Sequence, residues 1–240
     1  MITCRFAGLA VATTPRFPYY AHLVREYLAP EGTAPDLTLS VTKDEILAED
    51  AGKNAGADAG ILEALALYRK LSLTLPAYGG FFLHAACLSV DGCGVALVAP
   101  SGVGKSTHAA LWCDLLRDRC EIVNGDKPLV RRAEDGRFLA YGTPFCGKEG
   151  WQKNTAVPLD AILFLERGER DRIAPITPEE AFPLLYAATL PPRDEATLRL
   201  LLPLLSELTS SARLYRVRCT KNPSAAELCY RTIFEKESFL

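Results

Sequence analysis

Residues 99–107 read Ala-Pro-Ser-Gly-Val-Gly-Lys-Ser-Thr, and this stretch restricts the fold more than any other in the chain. It follows the pattern Gly-x-x-x-x-Gly-Lys-[Ser/Thr], with Ala99 at the first position, where a small residue suffices. Such a loop holds nucleotide phosphates on inward-pointing backbone N–H groups, and it must leave a strand and open a helix. Gly94–Val98 is a short apolar run, and His108–Trp112 begins a helical pattern. Strand and helix therefore flank the loop as the motif requires. The expected nucleotide-binding segment runs through Ser101, Gly102, Val103, Gly104, Lys105, Ser106 and Thr107. Lys105 is expected to reach the terminal phosphates and Ser106 to offer its hydroxyl to Mg²⁺, with the helix N-terminus adding its positive dipole end.

The strand before the loop predicts a second site residue. Asp91-Gly92 lies between two apolar runs, and Asp-Gly favours a two-residue hairpin turn with positive φ at both positions. That turn pairs Val90 with Cys93, Ser89 with Gly94 and Cys87 with Ala96. Counting on sets His84 opposite Ala99, at the mouth of the loop. A slip of one residue would turn His84 to the other face.

Two further segments carry candidate chemistry. Glu121–Val123 is a short strand pattern, and Asn124-Gly125-Asp126 follows it one helix after the loop. Asp126 stands where an acid that holds Mg²⁺ belongs, although Asn-Gly-Asp is also ordinary turn chemistry. Tyr141–Trp151 has three glycines and a proline around the adjacent charges Lys148 and Glu149. Lys148 could meet negative charge on a transferring phosphoryl group, and Glu149 could take a hydroxyl proton. A solvated surface turn would have the same composition. Arg167, Arg170 and Arg172 could meet phosphate but read as surface charge, and His108, in the helix after the loop, reads as incidental.

Organisation follows from the apolar pattern. Residues 1–80 read as a small leading α+β region, a scaffold or partner-contact unit without chemistry of its own. It has a strand at Leu37–Val41, a loop over 50–60 and an amphipathic helix from Ile61 to Leu75. Residues 81–240 read as the nucleotide-binding unit. Strands are expected near 82–90, 94–99, 121–123 and 160–166, with a helix from 105. Five prolines between 177 and 208 predict short helices there. A strand at Arg213–Arg218 and a helix capped by Asn222 close the chain. With 49% apolar and 23% charged residues and a net charge of −2, the chain has no broad basic excess to attract nucleic acid or an anionic membrane. No apolar run reaches bilayer length. Met1–Phe6 lacks the charged start and apolar stretch of a secretion signal. The eight cysteines lack metal-ligand spacing and read as free thiols in a reducing cytoplasm.

Taken in order, Leu83-His84-Ala85-Ala86, Asp91-Gly92, the loop at 101–106 and Val123-Asn124-Gly125-Asp126 resemble the catalytic domain of the HPr kinase/phosphorylase family. That family is related in fold to phosphoenolpyruvate carboxykinase. The resemblance covers roughly residues 80–170. It implies an α/β mixed-sheet phosphate-loop core and a Mg²⁺- and ATP-dependent kinase acting on a serine hydroxyl of a protein or peptide. It assigns His84 to the family histidine. The family has two consecutive aspartates after the strand; here the first aligns with Gly125, which leaves Asp126. The Gly-Thr-Pro-x-x-Gly-Lys-Glu segment at 142–149 resembles a compact branch of HPr-kinase-like proteins, some encoded beside peptide-modification systems. The proton acceptor stays open among His84, Asp126 and Glu149. A small hydroxyl metabolite such as free serine is the alternative acceptor, and a non-catalytic nucleotide-binding switch is the alternative class. A homo-oligomer also stays open, because the family often assembles while the surfaces here do not align.

Overall fold

The computed structural model describes residues 1–235. The chain opens with a hairpin of β1 (Ile2–Phe6) and β2 (Leu9–Thr13), followed by α1 (Pro18–Leu23), β3 (Leu37–Leu39) and α2 (Lys43–Leu47). The long α3 (Ala59–Thr74) begins at Asp58, whose carboxylate accepts the Gly60 N–H at 2.8 Å. β3 pairs parallel to β2, so the first three strands form a small sheet of their own. Composition hides the opening hairpin: its turn is Ala7-Gly8, both at positive φ, without the Asn or Asp that usually signals such a turn.

The large sheet begins with β4 (Gly80–Phe82), then β5 (Ala85–Val90) and β6 (Cys93–Val98). After the loop come α4 (Lys105–Leu116), β7 (Cys120–Asn124), β8 (Leu129–Arg132), β9 (Phe138–Tyr141) and β10 (Ala156–Arg167). β11 (Arg172–Pro175), α5 (Pro178–Ala187), α6 (Glu195–Ser211), β12 (Arg213–Cys219) and α7 (Pro223–Phe234) follow. The sheet is mixed. β6 pairs antiparallel to β5 and parallel to β10, β10 pairs parallel to β12, and β7 pairs antiparallel to β5. This is the expected α/β architecture.

Alternating side chains place the two covering layers. Cys87, Ala96, Val98, Ile162, Phe164 and Leu214 face α5 and α6 through Leu185, Leu205 and Leu208. Their neighbours Ala86, Leu88, Val95, Leu97, Leu163 and Val217 face α4 and α7 through Trp112, Cys229 and Ile233. Burial on both faces explains why these strands read as continuous apolar runs. The leading region packs on the sheet's edge, with Phe82 and Leu129 sharing its core of Phe6, Tyr27, Leu67 and Leu71.

The hairpin register matches the count outward from Asp91-Gly92, with Val90 on Cys93, Ser89 on Gly94 and Cys87 on Ala96. The ladder ends at Ala85 and Val98, so His84 does not pair with Ala99. The chain bends between β4 and β5, and the His84 N–H donates instead to the Ala188 carbonyl at 2.7 Å. The expected strand over 82–90 is therefore two strands. The helices between 177 and 208 are also longer than the prolines suggested. Pro183 and Pro203 lie inside α5 and α6, and both face solvent. There water can take the carbonyl that proline leaves unbonded, while α6 keeps Leu201, Leu204, Leu205 and Leu208 on its buried side. Asn222 does begin α7, but its side chain makes no capping hydrogen bond.

His108 is buried in α4 rather than incidental on its surface. The Trp112 indole N–H donates to its Nδ1 at 3.0 Å, and its Nε2 has no partner among the described residues. Burial pulls its pKa from 6.5 down to about 4. The folded chain holds this imidazole neutral while the unfolded chain protonates it. Its contribution to stability is complete above about pH 6.5 and is lost as the pH falls to about 4. We predict that His108→Asn, which keeps an acceptor for Trp112 but cannot titrate, loses about 3 kcal/mol less stability than wild type between pH 7 and pH 4. Urea unfolding at the two pH values measures the difference.

Candidate functional site

The phosphate loop leaves β6 at Val98 and enters α4 at Lys105. Gly102 and Gly104 sit at φ +82° and +129°, backbone that side chains rarely adopt, so the sharp turn into the helix depends on them. The first amides of α4 have no intrahelical carbonyl to bond and are available to an anion. The Arg167 guanidinium, at the end of β10, donates to the Gly102 carbonyl and ties the loop to the neighbouring strand. Arg167 is exposed, as a surface charge would be, and its partner lies 65 residues away in the sequence.

One cavity of about 430 Å³ gathers nearly every predicted site residue, His84, Ser101, Gly102, Gly104, Lys105, Ser106, Thr107, Asp126, Lys148 and Glu149, and is lined by Gly125 as well. Val103 is the exception. Its side chain lines two neighbouring depressions beside Arg167, and its N–H bonds to the Pro100 carbonyl at 3.3 Å.

At the centre of the cavity three ionisable groups meet. Lys105 Nζ lies 3.0 Å from His84 Nε2 and donates to the Ala99 carbonyl at 2.9 Å. Asp126 Oδ1 lies 3.2 Å from the same His84 nitrogen, and Asp126 Oδ2 accepts from Lys127 Nζ at 2.7 Å. A single ring nitrogen cannot accept from Lys105 and donate to Asp126 at once. The proton on His84 Nε2 is therefore decided by which neighbour it serves. Lys105 is only 8% exposed, and that burial pulls its ammonium below the usual lysine range, partly offset by the Asp126 charge. Burial would raise the Asp126 pKa, but hydrogen bonds and charge from His84 and Lys127 outweigh it and hold the carboxyl well below the usual range. Asp126 is thus a firm anion, suited to holding a cation and a weak proton acceptor.

The turn that carries Asp126 is held by Asn124, which is fully buried at the end of β7. Its Oδ1 accepts the N–H groups of Asp126 and Lys127 at 2.9 and 2.7 Å. Its Nδ2 donates to the carbonyl and hydroxyl oxygens of Thr143 at 2.9 and 3.2 Å. Thr143 in turn donates to the Lys127 carbonyl at 2.7 Å. The Asp126 turn and the Lys148–Glu149 loop are thereby locked to each other. In the sequence Asn124 looked like turn composition; its partners at 143 gave no local signal. The same loop explains Gly125. A Cβ there would lie 3.2 Å from the Cys146 carbonyl and 3.3 Å from Trp151, and the Gly125 N–H already bonds the Trp151 carbonyl. A side chain at this position needs the 146–151 segment to give by a few tenths of an ångström.

Residues 52–190, more than half of the chain, match the family model of the SynChlorMet cassette protein ScmC. The chain belongs to that family. No curated protein matches the sequence. Among solved structures, the chain is similar to the Hpr(Ser) kinase/phosphatase from Coxiella burnetii. The likeness covers 63% of this chain and 88% of that one at 13% identity, with a TM-score of 0.37. Among the described residues no helix is long and apolar enough to cross a membrane.

Two substitutions test the network. Asn124→Ala leaves two N–H groups and the Thr143 carbonyl without partners in a buried place, and should cost roughly 3 kcal/mol. Thermal unfolding should fall by about 6–12 °C for a chain of this size. Gly125→Asp should lower stability by about 1–3 kcal/mol through overpacking. A Gly125→Asp midpoint at or above wild type would show that the 146–151 segment yields freely.

Proposed function

We propose that this member of the ScmC family is a phosphotransferase that holds ATP on the loop at 99–107 and passes its γ-phosphoryl group to a serine hydroxyl of a protein or peptide. The observation that carries this reading is the triple contact of Lys105, His84 and Asp126 at one wall of the phosphate-loop cavity.

The reading follows from what each group can do there. Bound triphosphate competes with His84 and the Ala99 carbonyl for Lys105, because a phosphate carries more charge than either. Once Lys105 turns to the phosphates, a serine hydroxyl takes its place as the donor to His84 Nε2, while the other ring nitrogen carries the ring's proton. The hydroxyl gives its proton to Nε2 as its oxygen forms a bond to the γ-phosphorus. The bond from that phosphorus to the β-phosphate oxygen breaks, and ADP leaves with the electron pair. Asp126 stabilises the imidazolium that forms. Of the three candidates for the proton, His84 fits best, since Asp126 is held too firmly ionised and Glu149 touches neither Lys105 nor His84 among the described hydrogen bonds. Lys148, exposed on the facing loop, brings a cation to the charge that develops on the phosphoryl oxygens.

The Ser106 hydroxyl and the Asp126 carboxylate line the same cavity and are hard oxygen donors, the chemistry Mg²⁺ takes alongside water and phosphate oxygens. When bound there it supplies charge neutralisation on the triphosphate.

The test is transfer from γ-labelled ATP with Mg²⁺ to HPr, a serine-peptide library and free serine. We expect label on a serine-containing protein or peptide. Lys105→Ala should lose ATP binding by calorimetry. His84→Asn should keep ATP binding while transfer falls about 10²- to 10⁴-fold. Label on free serine alone would make the chain a small-molecule kinase. ATP binding without label on any acceptor would make it a nucleotide-dependent switch. Undiminished transfer by His84→Asn would remove the imidazole from the chemistry.

A further inference from the structure

A second cavity, of about 230 Å³, has none of the phosphate loop's residues in its lining. Asp126 and Gly147 line both cavities. The second one is walled by the leading region, which supplies Tyr19 from α1 and Leu65 and Tyr68 from α3. The loop after Thr143 closes it with Phe145. These walls are fixed. The buried Glu63 carboxylate accepts the N–H groups of Arg16 and Phe17 at 2.7 and 3.0 Å, which pins the entry to α1 against α3. Tyr68 packs against Phe82 and Phe145 with ring centroids 4.8 and 4.9 Å away. Tyr19 stands at the lip, 40% exposed.

We propose that this cavity receives an apolar side chain, aromatic or branched aliphatic, next to the serine of a peptide acceptor. The proposal rests on the phosphotransferase reading and names its substrate class. Three observations support it. In-line displacement brings the nucleophile from the side opposite the leaving group. On this reading the loop holds the leaving diphosphate and the acceptor arrives away from it, and this cavity adjoins the site at Asp126 and Gly147. Its size suits one side chain: a cavity of about 150 Å³ admits a benzene ring, whereas whole drug-sized ligands occupy about 300 Å³ or more. Its charges are already spent. Lys127 is ion-paired with Asp126 and lies 5.5 Å above the Tyr68 ring, so the walls offer no unpaired charged side chain for the ammonium and carboxylate of a free amino acid. A residue within a peptide carries neither charge, and its ring or branched chain matches the walls.

The experiment uses the full chain and two fluorescein-labelled peptides, Ala-Ala-Phe-Ser-Phe-Ala-Ala and Ala-Ala-Asn-Ser-Asn-Ala-Ala. Binding by anisotropy and transfer from labelled ATP are read in parallel, with wild type, Tyr19→Ala and Leu65→Asp. ATP binding by calorimetry checks that the phosphate loop is intact, and Tyr19→Ala, an exposed position, guards against loss of folding. We expect the Phe peptide to bind about 10-fold or more tightly than the Asn peptide, and both variants to erase that preference while ATP binding stays unchanged. Transfer that is blind to the flanking residues and to both variants would overturn the cavity's role and leave the kinase reading standing. Selective, variant-sensitive binding without transfer would keep the cavity's role and overturn the kinase reading. No binding and no transfer with either peptide would overturn the peptide proposal directly.

Discussion

The candidate site depends on a buried amide. Asn124 uses both ends of its side chain, accepting two backbone N–H groups from its own turn and donating to a residue 19 positions on. With the Thr143–Lys127 and Gly125–Trp151 hydrogen bonds, it holds the Asp126 turn to the loop that carries Lys148 and Glu149. Buried polar groups are costly unless satisfied, and here every hydrogen bond that satisfies Asn124 also orients a functional segment. Packing strengthens the effect, since the 146–151 segment presses on Gly125 closely enough to leave little space for a side chain. The site is therefore positioned from the end of β7 outward, with α4 supplying the phosphate loop from the other side.

Within that frame the charges are arranged as a competition. One lysine and one carboxylate contact the imidazole, a second lysine pairs with that carboxylate, and partial burial makes each pairing stronger than it would be in water. Lys127 is committed to Asp126. Lys105 is held by a carbonyl and a ring nitrogen, both neutral acceptors, and is the cation with the weakest partners in the group. Under the proposed function, a polyanion entering the loop would change that balance first at Lys105 and through it at His84.

Much of this was legible in the sequence because it rests on local rules. The phosphate loop is a contiguous motif, and the Asp91-Gly92 turn sets the register of β5 and β6 by counting alone. What was illegible depended on partners distant in sequence. Arg167 looked like surface charge until β10 came alongside β6 and brought it to the Gly102 carbonyl. The break at His84 came from the Ala188 carbonyl, across more than a hundred residues. Pro203 looked like a helix stop, and the tertiary structure overrode it by turning that position to solvent while four leucines of α6 stayed buried.

The leading region shows the division most plainly. Its residues carry no motif, and its apolar side chains read as ordinary core. Folding brings Tyr19, Leu65 and Tyr68 to a cavity shared with Asp126. By itself, the sequence determined the phosphate loop, the hairpin that leads into it and the alternation that makes an α/β sheet. These follow from backbone sterics and side-chain period over a few residues. Only the tertiary structure decided which groups meet at His84, what fills the space over Gly125 and what lies beyond Asp126. Such contacts are set by how whole layers pack, and no local stretch of chain encodes them.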